Sequence, residues 1–210
     1  MTARPTELEQ RLADTAQAPS DDRFARLRDR LVQRAAQEGL LDVAFAPVSS
    51  PLGELIVAAT PAGVVRLAYD DETRDEVLAN LAARISPRVL ETPSRLDAVR
   101  RELEEYFVGT RTAFELPLDL QLSAGFRRAV LDATAQIPYG HTGTYRSVAT
   151  AAGSPRAFRA AGTALATNPI PIIVPCHRVL RSGGGIGPYR GGSERKQMLL
   201  DLEAEHQPRP

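Results

Sequence analysis

The sequence predicts an α+β fold: a small N-terminal α/β domain with an antiparallel sheet, followed by a mainly helical C-terminal domain. Three observations lead there. Short β-like runs divided by turn residues fill positions 43–69, and apolar residues recur at helical spacing from 94 onward. The 16 prolines and 15 glycines mark many turns. With 210 residues, 43% of them hydrophobic, the chain can bury one generous core or two small ones. No apolar run approaches the roughly 18–20 residues of a membrane span. The polar first 30 residues do not read as a secretory signal. A cytoplasmic protein with no membrane partner is expected.

Residues 1–42 read as a helical extension, with Phe24, Leu27, Leu31 and Ala35 at amphipathic spacing and Gly39 as its stop. Residues 43–121 read as the α/β domain. "VAFAPV", "LGELIVAAT" and "GVVRLAY" form a meander, and "DETRDEVLANLAARI" is a helix whose acidic first turn suits the helix dipole. "SRLDAVRRELEEYFVG" is a second helix with Leu96, Val99, Leu103, Tyr106 and Phe107 on one side, and "TRTAFELPLDLQLSAG" links the halves. Residues 122–206 read as the second domain. "FRRAVLDATAQI" closes on a Pro-Tyr-Gly turn, and "TYRSVATAAG" is a short helix ending at Gly153. "SPRAFRAAGTALATN" starts with Ser154 as N-cap and Pro155 at the first helical position. Two helices joined by a short Gly-containing turn make a helix-turn-helix pattern, with Arg156 and Arg159 on the first turns of the second helix. "SERKQMLLDLE" is the last helix, capped by Ser193.

The net charge is zero, but its distribution is uneven. Residues 1–120 carry 15 Arg against 21 Asp and Glu, a net of −6. Residues 121–210 carry 11 Arg and Lys against 5 acids, a net of +6, which points to a polyanionic partner for the second half. A single cysteine excludes an internal disulfide and any multi-cysteine metal site, so no metal is expected.

That cysteine lies in "NPIPIIVPCHRVL", where an apolar segment delivers Cys176 and His177 to a fixed place. A thiol near pKa 8.5 is mostly protonated at neutral pH, and a neighbouring imidazole or cation can make its thiolate dominant. Adjacent residues need not face each other, so a packed cysteine beside a surface histidine stays open on these residues alone. "RSGGGIGPYRGG" lacks both the third glycine of a dinucleotide loop and the Gly-Lys-Ser/Thr of a phosphate loop. It reads as a flexible loop over a nearby pocket, with Tyr189 its one large side chain.

"IPYG", "TYRSVA", "SPRAFRAAG", "NPIPIIVPCHRV", "GPYRGG" and "RKQMLLDLE" together resemble, in order and spacing, the methylated-DNA–protein-cysteine methyltransferases, the O6-alkylguanine-DNA alkyltransferases. "SPLGELIVAAT" and "ELEEYFVGTRTAFELPLDL" resemble that family's N-terminal domain more loosely, and residues 1–40 lie outside the resemblance. The resemblance implies a winged-helix-like helix-turn-helix and a single-turnover transferase. It would bind double-stranded DNA through the minor groove, flip out O6-alkylguanine, or O4-alkylthymine, and move the alkyl group irreversibly to Cys176. His177 would be the general base through a bridging water, Glu203 would orient it, and Asn168 would hold the turn before the active-site strand. Tyr145 would give a proton to the leaving guanine. Val179 would contact the base edge through its carbonyl, and Tyr189 and Arg190 would wall the pocket. Arg159 would fill the gap in the duplex, with Arg156, Ala157, Phe158 and Arg178 also at the DNA. No cofactor is needed, because the substrate carries the alkyl group, and a monomer is expected. Phe158 departs from the family's usual small residue, Leu131 stands near a common tryptophan, and Pro188 and Arg190 alter the pocket loop.

Two rival readings remain at this stage. A Cys-His-Glu hydrolase would need an oxyanion hole that no motif here identifies, and a helix-turn-helix regulator or lesion sensor would have no use for Cys176.

Overall fold

The computed structural model describes residues 26–207 apart from 28, 29, 31, 33, 36 and 37. By its contacts the chain divides between Leu41 and Asp42 into two units. In the first, the described residues Arg26, Leu27, Arg30, Val32, Arg34 and Ala35 are helical, and Gly39 ends the run at φ 67°. Val32 is buried, whereas Leu27, expected on the apolar side, is exposed. Phe24 and Leu31 of that expected stripe lie outside the described residues.

The second unit opens with the meander: β1 (Val43–Ser50), β2 (Gly53–Thr60) and β3 (Gly63–Ala68), with each consecutive pair antiparallel. A short strand that the sequence did not announce, β4 (Val89–Glu91), runs parallel to β1, giving the order β3-β2-β1-β4. Both faces of the sheet are covered. Val43, Phe45, Ile56 and Ala58 pack with Val77 and Leu81 of α1 (Arg74–Arg84). Ala46, Val48, Leu55 and Val57 pack on the other side with Val99, Leu103 and Tyr106 of α2 (Asp97–Phe107). The alternation follows the two-residue period of a strand, and a bulge between Ala58 and Ala59 shifts it in β3. Thr73 and Glu76 close a capping box at the start of α1.

The link after α2 is more than a tether. Val64 N donates to Pro117 O at 2.8 Å and Asp119 N to Val64 O at 2.8 Å, so the link pairs with the edge of β3. Gly63 permits this approach: at φ 141°, a Cβ there would meet Pro117 O at 2.2 Å. The core beneath the sheet continues without a break into the second half, through Val130 and Leu131 of α3 (Gly125–Ala135) to Val148, Ala161, Leu165, Ile170 and Val174.

The helical pair is present as α4 (Tyr145–Ala151) and α5 (Phe158–Ala166), with Gly153 at φ 80° after the first. Thr144 and Ser147 form the capping box of α4. The start of α5 differs from expectation. Ser154 is not its cap and Pro155 is not its first residue; Ala157 is the cap, and 155–156 form a turn closed by Ala157 N to Ser154 O at 2.9 Å. A turn satisfies the same Ser-Pro preference as a helix start. The last helix, α6 (Gly192–Glu205), likewise begins before Ser193, which lies inside it. β5 (Gly143–Thr144) and β6 (Val179–Leu180) pair in parallel and join the foot of α4 to the chain just after Cys176.

Candidate functional site

Residues 168–179 are buried throughout, but they do not form the expected active-site strand. The segment is a run of turns followed by a 3-10 turn at Cys176–Arg178. A strand would alternate its side chains across a sheet; here prolines at 169, 171 and 175 deny it a hydrogen-bond ladder. Ile172 sits at φ 73°, an unfavourable conformation for a β-branched residue. Asn168 holds this path, accepting from Ile170 N at 3.0 Å and donating to Val174 O at 2.9 Å. The same amide nitrogen lies 3.1 Å from Cys176 Sγ.

Cys176 is 3% exposed. Burial pushes its thiol up to about 11, against the smaller downward pull of the Asn168 amide and of Lys196. Of the two states that adjacency to His177 left open, burial favours the neutral thiol, because desolvation outweighs the neighbouring donors.

His177 is fully buried, with Nε2 at 2.8 Å from Glu203 Oε1, while Nδ1 has no hydrogen-bond partner. Burial pulls its imidazole below the usual histidine value despite the carboxylate, leaving a neutral ring able to accept a proton. Glu203 is held from three further sides. Tyr106 of α2 donates to Oε1 at 2.7 Å, Gly140 N to Oε2 at 3.0 Å, and the Arg178 fork reaches both oxygens at 2.9–3.1 Å. Burial would raise this carboxyl, but the His177 and Arg178 hydrogen bonds outweigh it and bring it to about 2.

Arg178 corrects an expectation. Instead of facing DNA, it is 6% exposed, bound to Glu203 and to Ile137 O at 2.6 Å. Its charge balances the buried carboxylate and leaves none for a phosphate. A cleft of about 650 Å³ borders this group at Pro175 and Arg178, and Cys176 does not line it.

On the thiol's side the ring of Tyr189 stands edge-on to His177, 6.5 Å between centroids. Tyr145, the first residue of α4, donates to Pro188 O at 3.3 Å, and burial raises its hydroxyl, keeping it a donor. Gly187 allows this: a Cβ there would lie 2.7 Å from the Tyr145 hydroxyl oxygen. The Val179 carbonyl, expected to meet a base edge, accepts from Lys196 Nζ at 2.6 Å and keeps a second lone pair. Arg190 engages Glu72 at 2.6 Å, so its guanidinium is committed to the first half of the chain rather than to the thiol.

The remaining expected DNA residues cluster at the start of α5. Arg156 and Arg159 are exposed and Ala157 and Phe158 half-buried, with Arg156 on the preceding turn and Arg159 in the first helical turn. The guanidinium carbons of Arg146 and Arg159 lie 5.2 and 5.7 Å from the Phe158 ring centroid.

Sequence reasoning missed Tyr106 and Lys196. Tyr106 reads as one more apolar position of an amphipathic helix. Lys196 is the chain's one lysine among 26 basic residues, the only trace it leaves. It is fully buried, and burial lowers it to about 8 against the raising effect of Cys176. Among the described residues no group of three His, Cys, Asp or Glu is placed to hold a metal, and no helix is long and apolar enough to cross a membrane.

Two family models match the chain. The 6-O-methylguanine DNA methyltransferase ribonuclease-like domain covers 43–120 and the DNA binding domain of the same family covers 125–205. A methylated-DNA–protein-cysteine methyltransferase from Mycolicibacterium paratuberculosis is 37% identical over 166 residues, 79% of this chain and 95% of that one. The constitutive Bacillus subtilis protein of that name is 37% identical over 163 residues, 76% and 94% of the two chains. Among solved structures, the Mycobacterium tuberculosis O6-methylguanine methyltransferase aligns with TM-score 0.70 at 34% identity, over 80% of this chain and 96% of that one. A complex of that organism's OGT with DNA aligns with TM-score 0.69 at 34% identity, over 79% and 95%. With both halves of the family matched in order around one buried cysteine, the chain belongs to the methylated-DNA–protein-cysteine methyltransferases.

Proposed function

We propose that this protein repairs duplex DNA by moving the alkyl group of O6-alkylguanine onto Cys176, once per molecule. The observation that carries this reading is the buried Cys176, next in the chain to His177, whose Nε2 is held by Glu203 while Nδ1 has no hydrogen-bond partner. The sulfur–carbon bond forms as the carbon–O6 bond breaks. The thiol proton leaves to His177 Nδ1 through a bridging water, the Nε2–Glu203 bond fixing the ring and stabilising it as it becomes charged. The departing guanine gains a proton from Tyr145, which solvent reprotonates. Burial raises the thiol to about 11, so on this reading its deprotonation is coupled to substrate arrival.

A thiol with 3% exposure cannot reach a base inside a stacked duplex, so the base is extruded, at a cost of a few kcal/mol. Arg159 enters the vacated space, and Arg156, Ala157 and Phe158 line the minor groove. Tyr189 walls the pocket, Asn168 sets the turn that aims the sulfur, and Val179 O is available to the base edge. O4-alkylthymine carries its alkyl group on an equivalent ring-bound oxygen, and the same transfer extends to it in this reading. The division 43–121 and 122–206 is the functional one, with 1–42 as an extension, and the protein acts as a cytoplasmic monomer.

Intact-protein mass after mixing with duplex O6-methylguanine tests the reading. Cys176 gains one methylene mass, and demethylated product stops at one equivalent per protein. A Cys176→Ser variant takes up nothing while binding DNA within a few-fold of the parent. Continued turnover, or equal transfer by the serine variant, would sink it.

A further inference from the structure

The loop of residues 181–192 carries Tyr189 to the ring of His177, yet little within it sets its position. Gly183, Gly184, Gly185 and Gly187 lie within its first seven residues, and 181–185 are exposed. Its position is set by anchors: Tyr145 of α4 meets it at Pro188 O, and the others come from the segment between β3 and α1. The Tyr69 hydroxyl lies 2.6 Å from that of Tyr189, with the two rings edge-on at 6.2 Å. Arg190 closes on Glu72 at 2.6 Å, and the same carboxylate takes the Arg66 guanidinium of β3 at 2.5–2.6 Å. Beyond the loop, Arg195 at the start of α6 pairs with Asp70 and lies over the Tyr69 ring at 5.0 Å. Gly191 brings the loop's backbone against Tyr69, where a Cβ would lie 2.8 Å from the ring.

We propose that Tyr69–Glu72 is a latch that positions the 181–192 loop and so sets how large an alkyl group the pocket beside Cys176 accepts. Glu72 is a positioning residue: it touches Arg190, and Arg190 is joined to the Tyr189 wall. Arg66 is only 10% exposed at its side chain and Glu72 23%, so solvent screens this pair less than an ordinary surface pair. The latch rests on the alkyl-transfer reading, because it concerns the pocket of that reaction.

The test compares single-turnover rates on one duplex carrying either O6-methylguanine or O6-benzylguanine, so that the cost of base extrusion is common to both. Glu72→Gln frees Arg190 and relaxes the wall. The ratio of benzyl to methyl rates is expected to rise by about fivefold, near the upper end of what a partly exposed ion pair is worth. Tyr69→Phe removes only the hydroxyl contact and raises the ratio by about twofold. A general loss of packing would lower both rates together and leave the ratio alone. A change in ratio below threefold for Glu72→Gln, or a fall, overturns the latch. If that variant does not fold, a ratio for Tyr69→Phe at or below the parent's overturns it instead. Absence of transfer by the parent protein from either duplex would defeat the alkyl-transfer reading itself, whereas normal transfer with an unmoved ratio defeats only the latch.

Discussion

Glu203 and Arg159 stand at opposite extremes of order in one functional surface. Glu203 is 1% exposed and both its oxygens are bound, by groups from α2, from the turn after α3 and from the cysteine segment. Arg159 is exposed, and apart from the adjacent Phe158 ring it meets little that would fix it. On the proposed reading, the chemistry is pre-organised and the DNA contact is left to be completed by the partner. The difference follows from the energetics. A buried carboxylate without partners would cost several kcal/mol, so the relay must be finished before substrate arrives. An arginine in water loses nothing by waiting.

The largest effect should come from the interior. Glu203 ionises near 2 when folded and near 4.5 when unfolded, so its contribution is present above pH 4.5 and is lost as pH falls towards 2. That contribution is about 3 kcal/mol, read from urea unfolding midpoints between pH 6 and pH 2.5. Glu203→Gln should flatten this part of the curve and slow transfer roughly 100-fold on folded protein, since the base loses its orientation. An unchanged transfer rate would remove Glu203 from the relay.

A smaller effect is expected at the exposed extreme. If Arg159 fills the gap left by the extruded base, Arg159→Ala should slow transfer from saturating duplex by about tenfold. Reaction with free O6-benzylguanine, which needs no extrusion, should hold its rate. Full recovery of the duplex rate at high DNA concentration would make Arg159 a phosphate clamp and break the contrast between the two regions.

The smallest effect is assigned to Arg156, on the turn before α5. Its removal should weaken binding evenly across sequences and lower the slope of log affinity against log salt by about 1. A change in sequence preference instead would mean that Arg156 reads bases.

Much of the architecture was legible along the chain because it depends on neighbours. The strand alternation of 43–68, the stop at Gly153 and the stripe Leu96, Val99, Leu103 and Tyr106 are local patterns, and the elements follow them. Ser154 and Ser193 carry cap chemistry, but α5 starts after a turn closed on Ser154 O and α6 starts at Gly192, one residue before Ser193. β4 is three residues long and its partner lies more than forty residues away, too little signal for a periodicity.

The sequence by itself, through its family resemblance, singled out the candidates: one cysteine, a histidine beside it, an asparagine eight residues before and a glutamate on the last helix. The cysteine and histidine stand out by residue type and adjacency, and the asparagine and glutamate follow from the resemblance. Only the tertiary structure decided their states. It turned Arg178 inward to balance Glu203, brought Tyr106 across 97 residues to the same oxygen, and buried Lys196 against Val179 O. It also raised the thiol, a state that adjacency to a histidine left undecided. Desolvation and charge pairing depend on every group within a few ångströms, and most of those groups arrive from distant parts of the chain.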